Sequence, residues 1–501
     1  MKYQALAASL IAASLLTACG GSSSGGDDTS DPINIENVQK VLDTNADIAW
    51  ATYSDAVDTA EALKLALQDF REDPTQANFD AAKKAWLVAR EPYGQTEVYR
   101  FRLSPIDSTD YESEDGPEGD INAWPLGEAL IDYVVTATGD DDFGTDEIGV
   151  TANSAGINGN GAIDEDHAKN NQADNIIGNT SVLINADLLA NTATATDEHD
   201  VIAGYHAIEF LLWGQDLNDE GDVTLGDDRD DAVKTHDASN LASGGQRPLS
   251  DFDDGYNTSD DPYNPNNLKN RRHKYLEVAV DKLIEDLTAV RDGWEDGVAD
   301  NYRDKFTTIS TRAEAIQRLK EILTGMGTLS EGELAGERMQ ISFSANSQED
   351  EHSCFSDNTH RDIWLDAEGV SNSYYGEYAG YDSTLDGTDD NTVRAVSGYG
   401  LDDYLADAGL TELKGEIEDA LTLTETNYGL IDSAARNGSP VDVLIMDANR
   451  DSNNPMYKTI LSLNAQAGII ADIAEALDIS DSVVDDDASE CDTSNPSSTC
   501  P

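Results

Sequence analysis

Three stretches of this chain carry side chains suited to chemistry. The first is Gly204-Tyr205-His206-Ala207-Ile208-Glu209. On a helix, residues three apart share a face, so His206 and Glu209 stand side by side, as metal-binding or acid/base pairs do. Two ligands are too few for a stable transition-metal site, which wants at least three from the protein. A solvent-exposed His/Glu pair has the same spacing. The second stretch runs from Ala85 to Arg100. If its helix resumes beyond Pro92 and Gly94, then Trp86, Arg90, Tyr93, Glu97 and Arg100 fall on one face. That face mixes aromatic and charged groups, although an Arg/Glu ladder on an exposed helix reads the same way. The third stretch holds Glu333, Glu337 and Arg338, followed by the segment from Gln348 to Asp362. This segment carries His352, Cys354, Asp357 and His360 among several carboxylates. Such a set suits a loop that handles a metal or an anion, and also a solvated polar connection.

The elements that must position these residues read as helices. Apolar residues recur at helical spacing over Ile33 to Phe70, Phe79 to Arg90, Asn171 to Leu189 and Asp197 to Trp213. The same period recurs over Asn267 to Trp294, Thr311 to Met326, Leu410 to Ile431 and Tyr457 to Leu477. Pro92 and Gly94 should kink or restart the second helix. In the fourth, Val201, Tyr205, Ile208 and Leu212 form the core stripe, with His206, Glu209 and Trp213 on its flank. Strand signals are few. The expected fold class is all-α, with two helical bundles, a plausible duplication, and long irregular loops. The first bundle spans residues 33–215 and the second 266–480. Residues 216–265, poor in apolar side chains and rich in Asp, Gly, Asn and Pro, form an acidic linker between them. An acidic tail covers 481–501.

Composition supports a large folded chain: 501 residues, of which 39% are hydrophobic. Acidic residues number 99 against 31 basic, for a net charge of −68. That sign excludes nucleic acid as a partner bound through basic patches. It also suits solvation in a salty habitat. Calcium is conceivable at acidic loops such as Asp227 to Asp231, but none has the EF-hand spacing. At the N-terminus, Lys2, the apolar run Ala5 to Leu16, and Leu16-Thr17-Ala18-Cys19 read as a lipoprotein signal peptide over residues 1–19. Cys19 is then the lipidation site, and the Gly/Ser-rich residues 20–32 are a flexible tether. Gly20 directly after Cys19 points to the outer membrane, on its periplasmic or surface face. Cys491 and Cys500 could pair in an oxidising compartment, leaving Cys354 alone. A lone cysteine is more often a buried small apolar residue than a ligand.

Jointly, these segments resemble the imelysin-like family. Gly204-Tyr205-His206-Ala207-Ile208-Glu209 is similar to its Gly-x-His-x-x-Glu motif, and the run from Arg90 to Arg100 to its R-x-P-Y-G-Q-T-E helix. Glu337-Arg338-Met339 and the segment from Glu351 to Asn358 resemble the iron-regulated branch. The resemblance covers residues 33 to 480. It implies two helical bundles with a functional cleft between them, an envelope location and a part in bacterial iron uptake. It would have His206, Glu209 and Glu97 bind a metal ion, iron before zinc or calcium, or a metal-bearing ligand. Arg90, Tyr93, Arg100, Glu337, Arg338, His352, Cys354 and Asp357 would bind the ligand or neutralise buried glutamates. The loop from Glu351 to His360 would close over the His206/Glu209 helix. An outer-membrane iron-uptake receptor is the implied partner, besides the membrane that holds the lipid anchor. The family is also classed with metallopeptidases, in which His206 would bind zinc and Glu209 act as ligand or base. The zinc-protease pattern His-Glu-x-x-His is missing from this chain, which favours a non-catalytic role. A partner- or polysaccharide-binding lipoprotein without metal is the third reading.

Overall fold

The computed structural model describes residues 32–132, 156–157, 163–164, 175–180, 182–190, 201–214, 244–245, 247–253, 268–348, 350–446, 449–479, 482–484 and 491–500. Cys19, the tether and most of the acidic segment lie outside these residues.

Among them, eight α-helices of ten or more residues carry the fold. They are α1 (Ile35–Glu72), α2 (Gln76–Gly94), α3 (Gly204–Trp213), α4 (Leu268–Gly293), α5 (Arg312–Thr328), α6 (Thr359–Tyr375), α7 (Thr411–Arg436) and α8 (Pro455–Ala476). Strand structure is confined to two short antiparallel pairs, 156–157 with 163–164 and Glu377–Tyr378 with Val396–Ser397. Side-chain caps set the helix starts. Asn34 accepts from the Asn37 amide, Thr75 from the Asn78 amide, and Thr311 with Glu314 closes a full capping box.

The architecture is all-α, in two bundles. α1, about 57 Å long at 1.5 Å per residue, packs along α2 and α4, with α3 wedged against α2 and α4. α5, α6, α7 and α8 make the second bundle, and α6 also lies on α2. Gly94 and Gly369 permit that approach. A Cβ on Gly94 would sit 2.6 Å from the Leu365 Cβ, and one on Gly369 2.6 Å from the Gln95 carbonyl. The buried apolar residues of both bundles join in one core.

The structure differs from the sequence expectations at five places. First, α4 packs on α1 and α3, so the acidic segment interrupts the first bundle instead of ending it. Second, among the described residues of Asn171 to Leu189 the helix is confined to the start of Ala186–Ala190. Asn175 and Asn185 bond nearby amides, and Arg271 takes the carbonyls of Ile177, Asn179 and Val182, so these groups have partners other than a helix ladder. Third, α3 starts at Gly204 and not near Asp197, because Val201 pairs with Leu126. Fourth, α2 runs through Pro92 to Gly94, then breaks into a 3-10 turn at Glu97–Tyr99. Fifth, α5 does not stop at Met326. It continues as a π-helical run, Leu329–Gln340, and a last α-turn, Ile341–Ala345. α6 itself has no counterpart in the periodicity, since its buried face holds Arg361, Asp362 and Asp366 beside Ile363 and Val370. The structure joins Cys491 to Cys500, and Cys354 is buried outside that disulfide.

Candidate functional site

All ten residues of α3 are buried, so His206 and Glu209 sit inside the protein and not on a solvated flank. Gly204 makes this possible. Its φ of +79° favours glycine, and a Cβ there would sit 2.3 Å from the Ile121 carbonyl oxygen. Trp86 fixes the helix by donating its indole N–H to the Tyr205 carbonyl at 2.9 Å.

His206 Nδ1 lies 2.9 Å from Glu209 Oε2. The other carboxylate oxygen of Glu209 accepts from the backbone amide of Ser356 at 3.0 Å and from its hydroxyl at 2.6 Å. The loop before α6 therefore closes directly on the His/Glu pair. The rings of His206 and His352 meet edge to face with centroids 4.7 Å apart, and Phe355 packs on Phe210. Burial pushes the Glu209 carboxyl up to about 8, with Ser356 opposing. Burial, then His352 and Arg90, holds His206 well below the usual imidazole range. Its Nε2 is buried without a hydrogen-bond partner.

Beside this pair runs a chain of buried charges drawn from both bundles. Arg338 on the π-helical run donates to His352 Nε2 at 2.8 Å and to Glu97 at 2.9 Å, and lies 3.2 Å from Asp366. Because a guanidinium only donates, His352 Nε2 must accept, which places the ring proton on Nδ1. That Nδ1–H donates to Asp362 at 2.9 Å. Asp362 also accepts from Arg90 at 3.1 Å and from the Ser353 hydroxyl. Burial and Arg338 bring His352 down to about 4 against the pull of Asp362, so this histidine is neutral at pH 7. Burial alone would raise the Asp362 and Glu97 carboxyls. Arg90 holds Asp362 well below its ordinary value instead, and Arg338 with Arg100 holds Glu97 at about 2. Burial does win at Asp366, which is raised despite Arg338.

The sequence-selected residues thus divide into groups. His206, Glu209, Arg90, Glu97, Arg338 and His352 belong to one connected centre. Arg100, partly exposed, pairs with Glu97 at 3.1 Å and approaches Glu118 and Glu333. Tyr93 packs against Tyr205 with the rings tilted by 44°, and the Arg90 guanidinium lies over both rings. Glu337 is half-buried on the π-helical run next to Arg338. Cys354 lines a tight pocket with His206, His352, Glu128 and Glu351, which leaves about 10 Å³ for the centre of a water-sized sphere. Asp357 lines a different and larger cleft. Asp362, Asp366, Asn122 and Ser356 were not singled out from the sequence. The spacing Asp362-x-x-x-Asp366, one helical turn, was the available signal.

Donor chemistry at the tight pocket fits a metal ion in part. An imidazole nitrogen without a partner and two carboxylates line it. Among the described residues, however, no group of three or more His, Cys, Asp or Glu side chains is arranged to hold one.

Comparison with known proteins agrees with this architecture. Iron-regulated protein A of Synechococcus elongatus is 32% identical over 114 residues, 23% of this chain and 27% of that protein. The match therefore spans about a quarter of that relative's length. A crystal structure described as an iron-regulated protein A precursor from Parabacteroides distasonis superposes with a TM-score of 0.53 at 17% identity. The match covers 87% of this chain and 95% of that one, a likeness of fold. The imelysin (peptidase M75) family model matches residues 49–470, and the chain belongs to the imelysin family.

Proposed function

We propose that this protein is an exported iron-uptake component that holds an iron ion at the junction of its two bundles, with His206 Nε2 as the first protein ligand. One observation carries the reading: a buried imidazole nitrogen with no partner, in a pocket also lined by Glu128 and Glu351. Imidazole and carboxylate are the ligand chemistry of non-haem iron. In this reading Glu209 orients His206 through Nδ1, as carboxylates behind metal-binding histidines do. Glu97 serves as counter-charge to Arg338 and Arg100, and the iron-regulated relative supplies the choice of metal. The family's peptidase name finds no support in this pocket, which has room for an ion and none for a peptide segment.

Equilibrium dialysis of the purified protein against Fe(II) under anaerobic conditions, and against Fe(III), tests the assignment. His206→Ala should weaken binding tenfold or more while the helical circular dichroism stays unchanged. A parent protein that binds neither ion, or a variant that binds as the parent does, overturns it.

Export rests on the lipobox. Cys19→Ser should release the protein from outer-membrane fractions into the soluble fraction. A variant that still sediments with the membrane as the parent does sinks the anchor.

A further inference from the structure

On the far side of the loop before α6 lies a cleft of about 400 Å³. Its walls come from α2, the end of α3, the start of α6 and the end of α7. Its lining stands out in a chain of net charge −68: three permanent or near-permanent cations, Lys83, Arg361 and Arg436, against two carboxylates, Glu91 and Asp357. His360, also in the lining, is held neutral by burial, which brings it to about 4.

Two of the cations are committed. Arg361 makes a two-pronged pair with Glu91 at 3.0 and 2.7 Å, and Arg436 bonds Asp432 at 2.8 Å. Lys83 is different. Its ammonium sits 4.7 Å from the Phe79 ring centroid and 5.1 Å from that of Trp213, and no carboxylate among the described residues comes within ion-pair distance. Asp80, one turn earlier on α2, acts on it only at longer range. Leu87, Trp213, Leu385 and Pro440 give the same cleft apolar surface. A half-buried ammonium with no counter-ion among the described residues, framed by aromatic and aliphatic walls, is complementary to an anion with an apolar body.

We propose that this cleft is a binding site for a small aromatic carboxylate, whose carboxyl group pairs with Lys83 and whose ring lies on Trp213 and Leu87. The volume is in the range of small-molecule pockets. Burial lowers the Lys83 ammonium to about 8, and a carboxylate beside it would reverse that shift. Ser356, which bonds Glu209, lines this cleft too, so the ligand would rest against the wall that seals the His206 pocket. The site does not depend on iron being held at His206.

Calorimetric titration of the full chain, metal-free, with 1-naphthoate, citrate and inorganic phosphate tests the inference. Naphthoate should bind with one site per chain, more tightly than citrate or phosphate. Lys83→Met, which keeps the length and apolar stem, should weaken naphthoate ten- to hundredfold, the loss expected for one charge-assisted contact. Lys84→Met, an exposed neighbour, should change nothing. Equal binding of naphthoate by parent and Lys83→Met, tighter binding of citrate or phosphate, or no binding of naphthoate by the parent each overturns the proposal. Lys83→Gln, titrated alongside, separates loss of charge from any disturbance of packing by methionine.

Discussion

Replacing Arg338 with methionine should cost about 3–5 kcal/mol of stability, the range for breaking a buried ion pair by removing one partner. The side chain is 1% exposed and touches Glu97, Asp366 and His352 at once. Without it, Glu97 becomes a buried carboxylate that Arg100 alone must balance, and His352 loses the donor to its Nε2. Urea unfolding followed by circular dichroism measures the loss. Adding Glu97→Gln to the same chain should recover part of it, because the orphaned charge goes with the arginine. A single variant that unfolds within about 1 kcal/mol of the parent would mean the guanidinium is not what holds this centre together.

Acid should be the second large lever. Burial first, with nearby guanidinium groups, brings His273, His352 and His360 each to about 4, against 6.5 for an exposed imidazole. Between those values the unfolded chain binds more protons than the folded one, so stability falls as pH drops from 6.5 towards 4. At about 1.4 kcal/mol per unit, each histidine contributes at most about 3.5 kcal/mol to that loss. Glu209 acts in the opposite sense. Its carboxyl is raised to about 8, so the folded state holds the extra proton and loses stability as pH rises from 4.5 to 8. Burial lowers His206 in the same sense as the three other histidines and raises the Asp366 and Glu118 carboxyls in the same sense as Glu209, so the histidine share is read as a difference between parent and variant. His273, wedged among Phe70 and Phe252 and far in sequence from the candidate site, gives the control. His273→Gln should lose less stability than the parent as pH falls from 6.5 to 4.5, because its own share of the loss is gone. Parent and His273→Gln midpoints that fall by the same amount from pH 6.5 to 4.5 would count against a buried, neutral His273.

The helices with a sustained apolar period were legible in the sequence, α1 and α4 above all, even though α1 is buried on every side from Ala51 to Val57. α6 was not legible. Its inward face carries Arg361, Asp362 and Asp366, and a buried polar face erases the periodicity that marks a helix. The Leu329–Gln340 run was missed for a related reason: α-helical spacing does not describe π-winding. At the site, the Gly-x-His-x-x-Glu spacing correctly grouped His206 with Glu209. Their partners could not be read the same way. Arg90 meets Asp362 across 272 residues and Arg338 meets Glu97 across 241, so nothing local in the sequence joins them. The spacing alone left open whether the His206/Glu209 flank of α3 was solvated, because charged and titratable groups usually are. Here the second bundle covers them and supplies their counter-charges.

The distribution of cations has a consequence for the molecule as a colloid. Of 31 lysines and arginines, at least eight are taken inside: Arg90, Arg102, Arg247, Arg271, Arg272, Lys282, Arg338 and Arg361. At least thirteen carboxylates are buried with them, so the outer shell keeps nearly all of the −68 net charge. Such a particle travels with a cloud of mobile counter-ions and pushes away its own copies, and more so as ionic strength falls and screening lengthens. Dilute buffer should keep it dispersed but strain it. Brine relaxes that self-repulsion without reaching the arginines within.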